Sequence, residues 1–299
     1  ELQGIMGGYL SQVQGFDKEI VDAVKEQYLP SGQNSIVPKK PFSITLSLAD
    51  KIDTLTGFYG INEKPSSSKD PYALRRIALG IIRIIIENKK NIKVHDLLAY
   101  SQNIYLDQGI KFSNDELIKD IIFFLKDRFR YYLKEKNIRH DIIEAAAKSL
   151  DLNKISITYE KAKSLDKIIH KSIGVDIVSS YKRAFNILNS ETKNINESLS
   201  GTTDPGIFKD DAEKALFKKI NQIKQYFLDT TNKQNFDETL VFLATTKKEI
   251  FDFFDNVKVN DESGIIKKNR LELLNLFCKT FENFLDFQLI KDANEQTYF

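Results

Sequence analysis

DELIKDIIFFLKDRFRYYLKEKNI, the stretch from Asp115 to Ile138, repeats its apolar side chains at intervals of three and four residues. This spacing gathers them on one face of an α-helix. Glu116, three residues after Ser113, supports a capping box at the helix start. No stretch of the sequence sustains the alternation of apolar and polar residues that is typical of strands. The sequence therefore predicts an all-α protein.

The same periodicity predicts further helices over 210–229, 237–255 and 267–290, and two helices broken near Gly174 between 159 and 188. Residues 30–41 hold three prolines and predict a loop, and the polar stretch 191–206 predicts an exposed linker. Polar stretches near residues 88–91 and 107–109 indicate a domain change. We expect a first domain over 1–106 and a second over 107–299.

Composition excludes several classes of protein. The 44 lysines and arginines are balanced by 42 aspartates and glutamates, so only clustered charge could indicate nucleic-acid binding. No apolar run is long enough to span a bilayer. The single cysteine, Cys278, excludes an internal disulfide and a cysteine-based zinc site, and its phenylalanine neighbours predict a buried thiol. A reducing cytoplasm fits this pattern.

The residues around 48–87 predict a buried ionic cluster. Asp50 and Asp53 are three apart on one helical face. Asp70 and Pro71 are typical of a helix start, and the isoleucine-rich helix that follows, through residue 87, should be central and buried. Because a buried guanidinium needs a partner, we expect Arg83 to pair with Asp50 or Asp53.

The second half of the chain carries a possible recognition helix. Lys182, Arg183 and Asn186 fall beside or opposite an apolar stripe that includes Tyr181. Such a row can bind phosphates and base edges, but an ordinary solvated helix face fits the pattern equally well. Arg270, at the start of the last long helix, is interpreted as structural.

Four motifs in the first part of the chain resemble one family. They are ELQGIMGGY at 1–9, LADKIDTL at 48–55, SKDPYALRR at 68–76 and LGIIRIIIE at 79–87. In this combination and order they resemble the glycyl-tRNA synthetase β subunit. The chain opens at Glu1 and its one methionine, Met6, lies inside the first motif, so we expect a part of a longer protein.

Three motifs in the second part extend the resemblance over essentially the whole chain. YKRAFNIL at 181–188, FFDNVKV at 253–259 and NRLELL at 269–274 resemble the anticodon-binding domain shared by glycyl β subunits and arginyl-tRNA synthetases. The resemblance implies a helical HD-like region, truncated at its N-terminus, followed by a helical-bundle anticodon-binding domain.

The resemblance also implies a function. The chain would be the tRNA-binding part of the β subunit of a cytoplasmic glycine–tRNA ligase, with tRNA(Gly) and the α subunit as partners. ATP and Mg would bind the α subunit, leaving this chain without a cofactor, catalytic residue or metal, and inactive alone. The expected tRNA-binding residues are Lys182, Arg183, Asn186, Lys171, Lys69, Arg75 and Arg76.

A working HD phosphohydrolase is the first alternative. The segment 49–53 is similar to the last motif of that family, in which the aspartate binds metal. However, no histidine precedes Asp50. The pairs His95-Asp96 and His140-Asp141 come later, near helix starts, where aspartate is expected to cap or complement the helix N-terminus. The second alternative is a helical scaffold that binds only protein.

Overall fold

The computed structural model describes residues 2–192, 199–200, 202–230 and 235–292. Within these ranges the regular elements are α-helices and short 3₁₀ turns, and there is no strand. The all-α prediction is therefore confirmed. None of the helices in the described ranges is long and apolar enough to cross a membrane.

The chain divides into two compact units. Unit 1 comprises residues 1–137 and 150–159, and unit 2 comprises residues 138–149 and 160–299. The domain boundary predicted between residues 106 and 107 stays a prediction. The compact units divide the chain elsewhere, since the helices between residues 94 and 135 belong to unit 1.

Unit 1 is built around two helices that pack against each other, α3 and α4. Its helices are α1 (Ile5–Val13), α2 (Lys18–Glu26), α3 (Pro41–Gly60), α4 (Leu74–Glu87), α5 (Val94–Asp107) and α6 (Leu117–Glu135). Helix α3 packs against α2, α4, α5 and α6. The α4 isoleucines at 81, 82, 84 and 85 are at most 1% exposed, which confirms the prediction of a central, buried helix.

Helix α4 begins three residues later than the sequence predicts. The carboxylate of Asp70 accepts hydrogen bonds from the backbone N–H groups of Leu74 and Arg75, at 2.8 and 3.0 Å. Residues 71–73 form a turn in which Ala73 has a left-handed φ of 56°. Asp70 therefore caps the helix as predicted, but across a turn, so Pro71 is not its first residue.

Unit 2 is a helical bundle with an aromatic core. Its helices are α7 (His140–Lys148), α9 (Ser172–Thr192), α10 (Asp211–Thr230), α11 (Phe236–Ala244), α12 (Lys247–Asn256) and α13 (Gly264–Glu282), while α8 (Ile155–Ile168) carries residues of both units. Helix α9 packs against α11, α12 and α13. Rings of Tyr181, Phe277, Phe281 and Phe287 meet between α9, α13 and the 3₁₀ turn at Phe287–Leu289.

Two predicted helix boundaries in unit 2 are wrong. The break expected near Gly174 lies at 169–171, and Gly174 is inside α9, where an added Cβ would come 2.3 Å from the Ile168 carbonyl. The glycine thus permits close backbone approach. The helix expected over 237–255 is two helices, because the Thr245 and Thr246 hydroxyls donate to carbonyls at the end of α11.

Candidate nucleic-acid interface

The candidate recognition helix α9 is fixed by its buried face. Ile177, Val178, Tyr181 and Ala184 are at most 3% exposed, and the Tyr181 hydroxyl donates a 2.7 Å hydrogen bond to Glu282 on α13. Burial raises the pKa of Tyr181, so its hydroxyl remains a donor. The opposite side of the helix is thereby held in one orientation.

Arg183 lies against a pair of phenylalanines that were not expected to contact it. Its guanidinium carbon is 4.6 Å from the ring centroid of Phe251 and 4.9 Å from that of Phe254, both on α12. Guanidinium groups bind aromatic faces in this distance range. One guanidinium nitrogen is also 3.4 Å from a carboxylate oxygen of Asp255. Arg183 is therefore oriented by α12 rather than extended into solvent.

The two other α9 candidates differ in their surroundings. The Lys182 ammonium lies 2.9 Å from the Asp292 carboxylate, and Asn186 is exposed one turn after Arg183. On α12, Lys247 lies 2.7 Å from Asp176 of α9 and 6.0 Å from the Phe251 ring centroid. The outer faces of α9 and α12 together form a surface with cationic, aromatic, amide and carboxylate groups, which we call the α9–α12 face. Lys171, in the loop before α9, is exposed.

The unit 1 candidates stabilise loops. Arg75 donates to the Ser66 carbonyl and lies 3.9 Å from Asp70, while Arg76 donates to the Ser31 carbonyl at 3.1 Å. Lys69 is exposed in a turn closed by a 2.9 Å hydrogen bond between its own carbonyl and the Ser66 N–H. Arg75 and Arg76 therefore have structural partners on the loops that precede α3 and α4.

The predicted ion pair between Arg83 and Asp50 or Asp53 is wrong. Arg83 is 9% exposed, but its Nε donates to Glu87 at 2.7 Å, one turn further along α4. The remaining guanidinium nitrogens donate to carbonyls of the 30–41 loop, at Gly32, Gln33 and Ser35. The guanidinium of Arg83 points toward this loop, so the loop carbonyls, and not the α3 aspartates, satisfy its N–H groups.

Asp50 and Asp53 line a cavity of about 590 Å³ between α3 and α5, whose other walls are mainly apolar. Asp50 accepts a 2.9 Å hydrogen bond from the Gln27 amide. Between the two aspartates, Lys51 is 3% exposed and donates to the Ser47 hydroxyl at 2.8 Å. Burial lowers the pKa of Lys51 to about 8, against the opposing effect of Asp50.

The histidines do not form a metal site. In the described part of the chain, no group of three or more His, Cys, Asp or Glu side chains could hold a metal ion. His95 and His170 are exposed. Asp141 is buried, accepts from the Ile142 N–H at the start of α7, and pairs with Arg139. It also accepts from the Lys291 N–H at 2.7 Å, so it ties down the end of the described chain.

Arg270 has a structural position, in agreement with its interpretation from sequence. Its guanidinium donates to Glu213 and Asp261, each at 2.9 Å, and its side chain is 7% exposed. Cys278 is also buried, and burial raises its pKa, as expected for an unreactive thiol.

Three residues of this surface were not among the expected tRNA-binding residues: Phe251, Phe254 and Asp255. The last two lie in the motif at 253–259 but were not assigned a role there. The spacing of Phe251 and Phe254, three residues apart, places both on one face of α12. That spacing was a usable signal, but it is equally typical of a buried helix face. Only the packing of α12 on α9 shows that both rings meet Arg183.

Comparisons with known proteins match both halves of the chain. The family model of the glycyl-tRNA synthetase beta subunit matches residues 1–148, and that of the DALR anticodon binding domain matches residues 177–294. Curated relatives named glycine–tRNA ligase beta subunit are 32% identical in Cereibacter sphaeroides and 37% identical in Rickettsia canadensis. These alignments cover 97% and 96% of this chain, and 42% and 41% of the respective relatives.

The helical bundle of unit 2 and its match define a chain that carries an anticodon-binding domain of the aminoacyl-tRNA synthetase type. With the match over residues 1–148 and the relatives along nearly the whole chain, the chain belongs to the glycyl-tRNA synthetase β-subunit family. It spans about two fifths of the length of the curated relatives it matches.

Proposed function

We propose that the chain is the tRNA-binding part of the β subunit of a glycine–tRNA ligase. In the complete cytoplasmic enzyme it supports ATP-dependent glycylation of tRNA(Gly), which is catalysed with the α subunit. ATP and Mg bind the α subunit, and this chain holds tRNA without a catalytic residue, cofactor or metal of its own. The family assignment does not favour the phosphohydrolase and scaffold alternatives.

The observation that carries the proposal is the α9–α12 face within the part of the chain that matches an anticodon-binding domain. Single-stranded loop bases are recognised by hydrogen bonds on their Watson–Crick edges and by stacking on aromatic or guanidinium planes. The face offers these groups on two packed helices: Arg183 against Phe251 and Phe254, and Asn186 exposed beside them. Rigid helices are suitable supports for such contacts.

Basic residues supply charge for phosphate contacts within each unit. In unit 2 they are Lys182 and Lys171, and in unit 1 they are Lys69, Arg75 and Arg76. Arg75 and Arg76 retain donors beyond the loop carbonyls they bind, because a guanidinium has five N–H groups. Phosphate contacts position the RNA and base contacts specify it.

The test is tRNA binding by the whole chain at several salt concentrations. We expect the dissociation constant for tRNA(Gly) to rise steeply with salt, because phosphate contacts release counterions. Lys182→Ala should weaken binding of all tRNAs alike and reduce the salt dependence, whereas Asn186→Ala should reduce preference for tRNA(Gly). Lys214→Ala is the matched control, since Lys214 also pairs with an aspartate at the surface. Salt-independent or absent tRNA binding by the unmodified chain would overturn the proposal.

A further inference from the structure

Arg183 and Asp255 place a hydrogen-bond donor and an acceptor side by side on the α9–α12 face. The Arg183 nitrogen and the Asp255 oxygen are 3.4 Å apart, near the upper limit for a hydrogen bond. Asp255 is 67% exposed and Arg183 36% exposed. Both groups therefore keep hydrogen-bonding capacity toward a ligand that approaches from solvent.

Stability does not account for this arrangement. Asp255 lies in the last turn of α12, where the helix dipole disfavours a negative charge. Exposed ion pairs with long contacts add little to stability. Phe251 and Phe254 are only half-buried, while Phe253 between them is fully buried and anchors α12 in the core. The outward residues of this turn are thus available for another role.

We infer that Asp255 and Arg183 form a cytosine-specific subsite, in which Asp255 accepts from the exocyclic amino group and Arg183 donates to the ring nitrogen or the carbonyl. This inference rests on the proposed tRNA-binding function. A carboxylate next to a guanidinium presents an acceptor beside a donor, as guanine does when it pairs with cytosine. Aspartate and glutamate accept from the amino group of cytosine in duplex recognition as well.

The two rings make this subsite rigid. Phe251 and Phe254 hold the guanidinium at 4.6 and 4.9 Å from their centroids, which limits the rotation of its N–H groups. They are positioning residues for Arg183. A fixed donor and acceptor discriminate between bases better than mobile ones, because no ordering cost is added on binding.

The nature of the pair selects cytosine over phosphate and over uracil. A phosphate would be repelled by the Asp255 carboxylate. In the part of the chain that the structure describes, Arg183 is the only cation paired with this carboxylate. Uracil has a carbonyl where cytosine has its amino group, so it would present an acceptor to the carboxylate. Every glycine anticodon ends in two cytosines, and one of them is the expected occupant.

The experiment measures binding of the whole chain to tRNA(Gly) and to two versions in which one or the other anticodon cytosine is replaced by uracil. For the unmodified chain we expect a preference for cytosine of about tenfold or more at one of the two positions. Asp255→Asn should abolish this preference and bind the uracil version better, since an amide can donate to the uracil carbonyl.

Asp252→Asn is the matched control, because Asp252 is an exposed aspartate on the same helix and its backbone carbonyl, not its carboxylate, accepts from Asn256. The control should keep the preference of the unmodified chain. Phe254→Leu should reduce the cytosine preference while leaving the salt dependence unchanged. Far-UV circular dichroism confirms that each variant is folded.

Three outcomes would overturn the inference. Asp255→Asn could keep the preference for cytosine, Asp252→Asn could lose it as well, or the unmodified chain could bind the tRNAs without preferring cytosine. In all three cases tRNA binding itself would persist, and the proposed function would stand. Loss of tRNA binding by the unmodified chain would instead contradict the proposed function.

Discussion

Arg270 and Glu213 form a buried ion pair that joins α13 to the start of α10. The Nε group of Arg270 donates to Glu213 at 2.9 Å, and the two side chains are 7% and 1% exposed. The other Glu213 oxygen accepts from the backbone N–H groups of Lys209 and Asp210, at 2.8 and 2.9 Å. One carboxylate therefore connects two helices and satisfies donors that precede α10.

Glu213→Ala should destabilise the chain by about 3–5 kcal/mol, because it removes the buried charge partner of the Arg270 guanidinium and leaves only the more exposed Asp261. Urea unfolding followed by circular dichroism measures the change. Asp211→Ala, which removes an exposed pair with Lys214 on the same helix, is the control and should have little effect. Equal effects of the two substitutions would show that burial of the Arg270 pair contributes nothing.

Arg83→Met should destabilise the chain by about 2–4 kcal/mol, since the guanidinium joins Glu87 to three carbonyls of the 30–41 loop. Asp50→Asn should change stability by no more than about 0.5 kcal/mol, because Gln27 can still donate to the new side chain. Both are measured by chemical unfolding. If Asp50→Asn lowered the free energy of unfolding as much as Arg83→Met, the result would support the pairing of Arg83 with Asp50 that was expected from the sequence.

The burial of α4 could be predicted from the sequence, whereas the hydrogen-bond partners of Arg83 on that helix could not. The isoleucine pattern of residues 77–86 requires burial whatever the tertiary structure, so the central helix could be predicted. The partner of Arg83 could not. Three of its four acceptors are backbone carbonyls of a loop, and a carbonyl has no residue type that a sequence pattern could reveal. The end of α11 is similar, because the Thr245 hydroxyl donates to the backbone carbonyl of Phe242. The start of α4 differs: its cap Asp70 could be predicted, but the turn between Asp70 and Leu74 could not.

Lys51 should give the chain a measurable pH dependence. Its folded pKa of about 8 lies below the value of 10.5 expected in the unfolded chain, so the unfolded state binds more protons between these values. Stability should therefore rise as the pH rises from about 8 to 10.5. Lys51→Met should be more stable than the unmodified chain at pH 7, by about 1–3 kcal/mol, and this advantage should vanish by the upper end of that range.

The measurement is the difference in unfolding free energy between the unmodified chain and Lys51→Met as a function of pH. Burial also raises the pKa values of Tyr59 and Cys278, but both residues are present in both proteins, so their contributions cancel in the difference. Lys93→Met replaces a lysine that is 75% exposed and serves as the control. A difference between the unmodified chain and Lys51→Met that stays constant with pH would show that Lys51 is not desolvated.

The candidate site was predictable only in part. Lys182, Arg183 and Asn186 were placed on one helix by periodicity, and the structure keeps them on α9. Asp292, Phe251 and Asp255, which set the surroundings of Lys182 and Arg183, are 68 or more residues away in sequence. Such contacts depend on how α9 and α12 pack, and helical periodicity identifies a buried face but not its partner.

The measurement that tests the central claim most directly is competition by an isolated anticodon stem-loop hairpin. The hairpin of tRNA(Gly) contains the anticodon but lacks the rest of the tRNA, so it tests whether the chain recognises this loop. We expect it to displace intact tRNA(Gly) from the chain, and a hairpin with both anticodon cytosines replaced by uracils to compete about tenfold or more weakly. If intact tRNA(Gly) binds but the two hairpins compete equally or not at all, the chain does not read the anticodon and the account is contradicted.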